Sequence, residues 1–263
     1  MLELIDRGSC SDAHPTPLLF VHGACHASWC WDAHFLDYFA DRGFRALAVS
    51  LRGHGDSGLD GKPLNACSIA DYVEDVRSVV KQLPVPPVLV GHSMGGFVVQ
   101  KYLESASAPA AVLMSSAPPR TWFVRSMWAG RRHPWLGVKS NVTRNALALY
   151  PEPAFVREAL FSPRTPEPVV QDCFERIQNE SFRALTTDMS IRNLVRTRLV
   201  TTPLLVLEGD QVFWGRRVAR DIGRAYQLDA EYFTDMGHDM MLEPGWEAVA
   251  ERIHEWLETR DLG

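Results

Sequence analysis

The stretch Val88-Leu89-Val90-Gly91-His92-Ser93-Met94-Gly95-Gly96-Phe97 constrains the fold most tightly, because an apolar, β-branched run ends abruptly on a serine set between glycines. The run reads as a buried strand, and the residues from Met94 to Glu104, with no glycine after the first turn, read as a helix. A strand that turns straight into a helix puts the serine in a strained conformation and brings the chain back against itself, so side chains in place of the flanking glycines would collide. The turn displays the Ser93 hydroxyl at the strand's C-terminal tip. The Met94 amide, among the first in a helix and lacking an internal partner, can donate to an oxyanion forming beside it. Ser93 is therefore the expected nucleophile and Met94 one expected oxyanion donor.

Strands alternate with helices on either side. Leu18-Leu19-Phe20-Val21-His22 reads as a buried strand ending at Gly23, and residues 28–41 carry apolar side chains at helical spacing closed by Gly43. Residues 45–50 return as a strand, Ser68 can cap a helix presenting Ile69, Val73, Val76 and Val80, and Ala111-Val112-Leu113-Met114 is the strand after the serine helix. Pro203-Leu204-Leu205-Val206-Leu207 follows about ninety residues later; then come a helix near residues 214–226, a strand near 230–233 and a helix from Trp246. The alternation implies a parallel sheet covered on both faces.

The gap between those strands is compositionally distinct. Residues 118–200 hold Trp122, Trp128, Trp135, many prolines and 13 Lys+Arg against 7 Asp+Glu, a local +6 against −11 for the rest. We expect residues 1–117 and 201–263 to form the core and 118–200 a helical cap over the serine. That cap would select an acyl chain through its tryptophans, or an anionic ester through arginines such as Arg131 and Arg132. At 263 residues, one α/β domain with an insertion is sufficient. A net charge of −5 gives no reason to expect nucleic acid as a partner, and the odd, scattered cysteines suggest neither a disulfide framework nor a zinc knuckle. Acids near the start and the lack of an apolar run of ~20 residues point to a chain without stable membrane insertion, expected in the cytoplasm.

A serine hydroxyl needs a base within hydrogen-bond reach and a third group to orient that base. His238, in Asp235-Met236-Gly237-His238-Asp239 directly after the last strand, is the expected base. Asp210, which follows residues 204–207 through Glu208-Gly209, completes the order Ser, Asp, His, with Asp235 and Asp239 as competing acids. The second oxyanion donor is expected from His22-Gly23-Ala24-Cys25-His26, with Ala24 preferred and Cys25 the alternate. His22 and His26 stand four apart, but Gly23 favours a loop, so no metal site is expected.

Val21-His22-Gly23, Arg52-Gly53-His54-Gly55-Asp56-Ser57, Gly91-His92-Ser93-Met94-Gly95-Gly96, Gly209-Asp210 and Gly237-His238 stand in the order seen in the α/β-hydrolase fold superfamily, which the chain resembles over nearly its whole length. The resemblance implies an α/β fold with a mostly parallel eight-stranded sheet flanked by helices, a cap inserted after the sixth strand, and Ser93, Asp210 and His238 as a triad. The family usually places two residues between the glycine and the aspartate, whereas Asp210 follows Gly209 directly. Serine at 93 argues against epoxide hydrolases and haloalkane dehalogenases, which carry aspartate there. Residues 22–31 are similar to the segment in plant methylesterases and hydroxynitrile lyases, but the lyases have a lysine where this chain has Asp239. The expected activity is hydrolysis of a small-molecule carboxylic ester without a cofactor. Carbon–carbon hydrolases, lactonases, perhydrolases and low-turnover binding proteins stand as alternatives on the same fold.

Overall fold

Period-two alternation of apolar residues along four central strands generates both faces of the sheet. Strands β2 (Leu18–Val21), β3 (Ala46–Val49), β4 (Val88–His92) and β5 (Ala111–Met114) are buried at every position. Leu18, Phe20, Ala46, Ala48, Val88, Val90, Val112 and Met114 point to one face, and Leu19, Val21, Leu47, Val49, Leu89, Ala111 and Leu113 to the other. The first face is covered by α1 (Trp29–Asp32), α2 (Phe35–Ala40) and the C-terminal α9 (Trp246–Glu258), through Trp31, Phe35, Phe39, Val249, Ile253 and Leu257. The second is covered by α3 (Ile69–Val80), α4 (Ser93–Tyr102) and α8 (Arg217–Tyr226). The computed structural model describes residues 1–120, 133–192, 194–212 and 217–262.

With β1 (Leu4–Arg7), β6 (Leu204–Gly209) and β7 (Glu231–Phe233), the sheet has seven strands in the order β1-β3-β2-β4-β5-β6-β7. All pairs are parallel except β1 with β3. The eight strands implied by the resemblance are thus corrected to seven among the described residues, and the insertion follows the fifth strand, β5, instead of a sixth. The edge strand β1 is mostly exposed and carries Asp6, paired at 2.7 Å with Arg45 of the neighbouring chain segment, which is a poor template for a further strand. The expected helix over residues 28–41 is interrupted at His34, whose ring stacks on Trp246 at 4.7 Å.

Register places the chemistry. Val21 lies opposite Gly91, so the chain leaving β2 and the turn leaving β4 emerge side by side at the C-terminal edge; Gly209 lies opposite Phe233, which levels the ends of β6 and β7. Between β5 and β6 the described segment is helical: α5 (Pro134–Thr143), α6 (Pro153–Leu160), α7 (Glu167–Arg176) and a π-helical run, Arg183–Arg192. Buried carboxylates fasten it to loops at this edge. Glu180 pairs with His54 at 3.0 Å and accepts from Tyr72 Oη at 2.5 Å, while Glu243 accepts from Ser162 Oγ, Thr165 Oγ1 and the Gly237 amide. Trp135 on α5 is 55% exposed, whereas Trp122, Trp128, Arg131 and Arg132 lie outside the described residues.

The start of α3 is held by a capping box: Ser68 Oγ accepts from the Asp71 amide at 3.1 Å and the Asp71 carboxylate accepts from the Ser68 amide at 2.8 Å. Ser68→Ala is expected to cost about 1 kcal/mol. In a protein of this size that lowers Tm by about 2–4 °C, measurable by thermal denaturation.

Candidate active site

Ser93 has φ +51°, a left-handed conformation that a non-glycine residue adopts only when its surroundings impose it. Those surroundings are visible. A Cβ on Gly91 would stand 2.7 Å from Gly96 Cα, so only glycine lets the strand end and the helix start pass each other. Ser93 opens α4, the residue retains a small exposure of 9%, and its carbonyl accepts from the Ala117 amide at 2.9 Å. The turn after β2 sits directly over it: a Cβ on Gly23 would meet Ser93 Cβ at 2.9 Å and His92 Nδ1 at 2.7 Å. That turn closes through the His26 amide on the Gly23 carbonyl at 3.3 Å, with Cys25 at φ +65°. Ala24 and Met94, the expected oxyanion donors, therefore stand on the two chain segments that flank Ser93.

His238 is buried in the loop after β7, and its ring packs on His92 at 4.6 Å between centroids. His92 Nε2 lies 3.1 Å from the His238 carbonyl, which fixes the loop from the strand that carries the serine. Burial, reinforced by the nearby charge of His26, pushes the His238 pKa down to about 3, so the resting ring is neutral. Asp210, half-buried, follows β6, and its amide donates to the Phe233 carbonyl at 2.9 Å while the next amide, of Gln211, donates to Met236 at 2.9 Å. The backbone of residues 210–211 thus lies against the His238 loop. Of the competing acids, Asp235 is exposed beside Arg164 at 3.0 Å, and Asp239 is wholly buried, hydrogen-bonded to His26 at 2.9 Å with its carboxylate also within 4.8 Å of a His238 ring nitrogen.

His26, His92 and Asp239 form a buried polar cluster beside these residues, and sequence reasoning missed it as a unit. Its members come from the end of β4 and two loops, and only the fold brings them together. His22, weighed with His26 as a metal pair, instead accepts from the Leu51 amide at 2.9 Å. His26, Cys173 and Asp239 place potential ligand atoms within 4.8 Å of one another, as do His92, His238 and Asp239. In the first group His26 and Asp239 are hydrogen-bonded at 2.9 Å, with Cys173 Sγ 3.9 Å from His26 Nε2 and 4.0 Å from Asp239 Oδ2.

A serine in a left-handed turn between a central strand and a buried helix, at the C-terminal edge of a mostly parallel sheet, defines the class of α/β proteins built on a nucleophile elbow. A family model described as "Alpha/beta hydrolase family" matches residues 18–252, and the chain belongs to that family. A monoacylglycerol lipase of Mycolicibacterium smegmatis is 25% identical over 242 residues, 85% of this chain and 81% of that protein. Shorter matches are to a non-heme chloroperoxidase of Burkholderia pyrrocinia, 36% identical over 39% of this chain, and to methylesterase 18 of Arabidopsis thaliana, 38% identical over 30% of this chain. These matches span 38% and 29% of the two relatives' lengths. Among solved structures, a thermophilic esterase from Thermogutta terrifontis superposes with a TM-score of 0.74 at 20% identity, covering 99% of this chain and 94% of that one, a likeness of fold.

Proposed function

We propose that the protein is a serine hydrolase that cleaves a small-molecule carboxylic ester through an acyl-enzyme. The observation that carries this reading is Ser93 in its left-handed turn under Gly23, with the His238 loop beside it. Ser93 Oγ attacks the ester carbonyl as His238 takes its proton, and the amides of Met94 and Ala24 hold the oxyanion. Collapse of the tetrahedral intermediate expels the alcohol, which receives that proton. Water then attacks the acyl-enzyme, His238 removes its proton, and the carboxylic acid leaves with Ser93 restored. Asp210 orients His238, and residues 118–200 serve as the cap that shapes the acyl site.

No helix among the described residues is long and apolar enough to cross a membrane. All five cysteines are free thiols, four of them buried, which supports a reducing cytoplasm.

The test is treatment with a fluorophosphonate, mapping of the adduct by mass spectrometry, and turnover of esters of graded acyl length with Ser93→Ala as control. A single adduct at Ser93 and a loss of at least about 10⁴-fold in kcat for Ser93→Ala are expected. Labelling at another serine, or turnover that survives the substitution, would refute the reading.

A further inference from the structure

The turn that covers Ser93 and the loop that carries His238 are joined by one buried pair. His26 Nε2 is 2.9 Å from Asp239 Oδ2, with side-chain exposures of 2% and 0%. The other ring nitrogen, His26 Nδ1, is 2.9 Å from the Ala24 carbonyl. A carbonyl oxygen and a carboxylate both accept, so satisfying both contacts requires a proton on each nitrogen and a cationic ring. Burial alone would disfavour that cation, but the Asp239 charge and hydrogen bond outweigh it and hold the His26 pKa well above its ordinary value. Groups facing the pair include Cys173 of α7, 3.9 Å from His26 Nε2, His92 at the end of β4, 3.6 Å from Asp239 Oδ1, His238, with a ring nitrogen within 4.8 Å of the Asp239 carboxylate, and Trp29, stacked on the His26 ring at 5.3 Å.

The turn needs such a hold. Cys25 at φ +65° occupies a conformation that a residue with a side chain avoids, and rotation of the Ala24–Cys25 peptide would relieve it. That rotation is opposed at the Ala24 carbonyl by His26, and the following peptide is held at the Cys25 carbonyl by the Gln178 amide, 2.8 Å away. Asp239 meanwhile adjoins His238 in the chain, and its amide donates to the Leu160 carbonyl at 2.9 Å. The pair therefore connects the segment bearing one proposed oxyanion donor to the segment bearing the proposed base, over 213 positions of sequence.

We infer that His26 and Asp239 are a positioning couple that fixes the oxyanion turn and the His238 loop in one geometry for attack by Ser93. The inference rests on the serine-hydrolase reading. Neither residue is assigned contact with substrate; both act through Ala24 and His238.

The couple is tested in the full chain with Asp239→Asn, His26→Gln and the double variant, on an ester turned over by the unmodified protein. A displacement of about 1 Å at a reacting group costs up to about 10²-fold in rate, so each single variant should lower kcat by about 10- to 100-fold with KM changed less than about threefold. The double variant, which breaks the same couple once, should be no slower than the slower single variant. It also buries no unpaired charge, so it decides the matter if a single variant does not fold. Full kcat in a folded variant, or multiplicative losses in the double one, would overturn the inference. Histidine ¹⁵N spectra supply a readout apart from turnover: a ring assigned to His26 that carries both protons at pH 8 is expected, and that signal should be absent from Asp239→Asn, whatever the state of His54 beside Glu180. A neutral His26 ring refutes the couple even in an active enzyme. Absence of a Ser93 adduct alongside a cationic His26 would instead fault the hydrolase reading.

Discussion

Asp210→Asn is expected to lower kcat on the order of 10⁴-fold with a much smaller change in KM, because an orienting acid acts on the imidazolium that exists only as the serine is deprotonated. Asp210, Asp235 and Asp239 are the candidates for that role, and they differ in their surroundings. Asp235 is 60% exposed and shares a solvated ion pair with Arg164, so Asp235→Asn should leave turnover near the unmodified level. Asp239 is hydrogen-bonded to His26, and its loss should cost about two to three orders of magnitude less than that of Asp210. Asp210 alone follows the β6 strand end, with its own amide and that of Gln211 bonded to Phe233 and Met236. Although Asp210 follows Gly209 directly, those two bonds draw its backbone against the His238 loop. Steady-state kinetics on the three asparagine variants settles the order, and a loss below about tenfold for Asp210→Asn would remove it from the triad.

What could be read from sequence follows from how local each constraint is. The turn at Ser93 was legible because its steric requirement is met within six residues, from Gly91 to Gly96, and Cβ placement at Gly91 bears that reasoning out. The buried strands were legible because their apolar runs are unbroken, whereas β1 was missed: Leu4–Arg7 is half charged and mostly exposed, and it is a strand only because β3 pairs with it. The break at His34 depends on Trp246, more than two hundred residues away, and the coupling of His26 to Asp239 is equally remote. No periodicity records such contacts. The seven-strand count likewise follows from an edge, and an edge is a property of the assembled sheet.

Folding stability is expected to peak near pH 6.5 and to fall on both sides, because the buried histidines divide into two groups of opposite sign. His22, His92 and His238 are held neutral by burial, His22 well below its ordinary pKa and the other two at about 3; the adjoining His54 adds to this at His22, His238 at His92 and His26 at His238. Above pH 6.5 they are neutral in both states and the folded protein loses nothing. Below it the unfolded chain takes up protons that the folded protein refuses, so stability falls with pH by up to about 1.4 kcal/mol per unit for each histidine. His26 and His54 behave oppositely. Burial works against their charge, but Asp239 and Glu180 outweigh it and raise both pKa values. Their stabilisation is complete below pH 6.5 and is lost as pH rises through the raised folded values, while the unfolded histidines are already neutral. With three groups on the acid side and two on the alkaline side, the acid limb should be the steeper. Glu180 and Asp71 extend it further: burial opposes their charge, but His54 on Glu180 and Lys62 on Asp71 hold both pKa values low, Asp71 at about 2. Denaturant midpoints measured from pH 4.5 to 9 should trace this asymmetric maximum. A steady rise in stability from pH 5 to 8.5 would contradict it. Glu180→Gln and Asp239→Asn each remove the anion that keeps one histidine charged and should flatten the alkaline limb; Glu180→Gln also removes that carboxylate's own share of the acid limb.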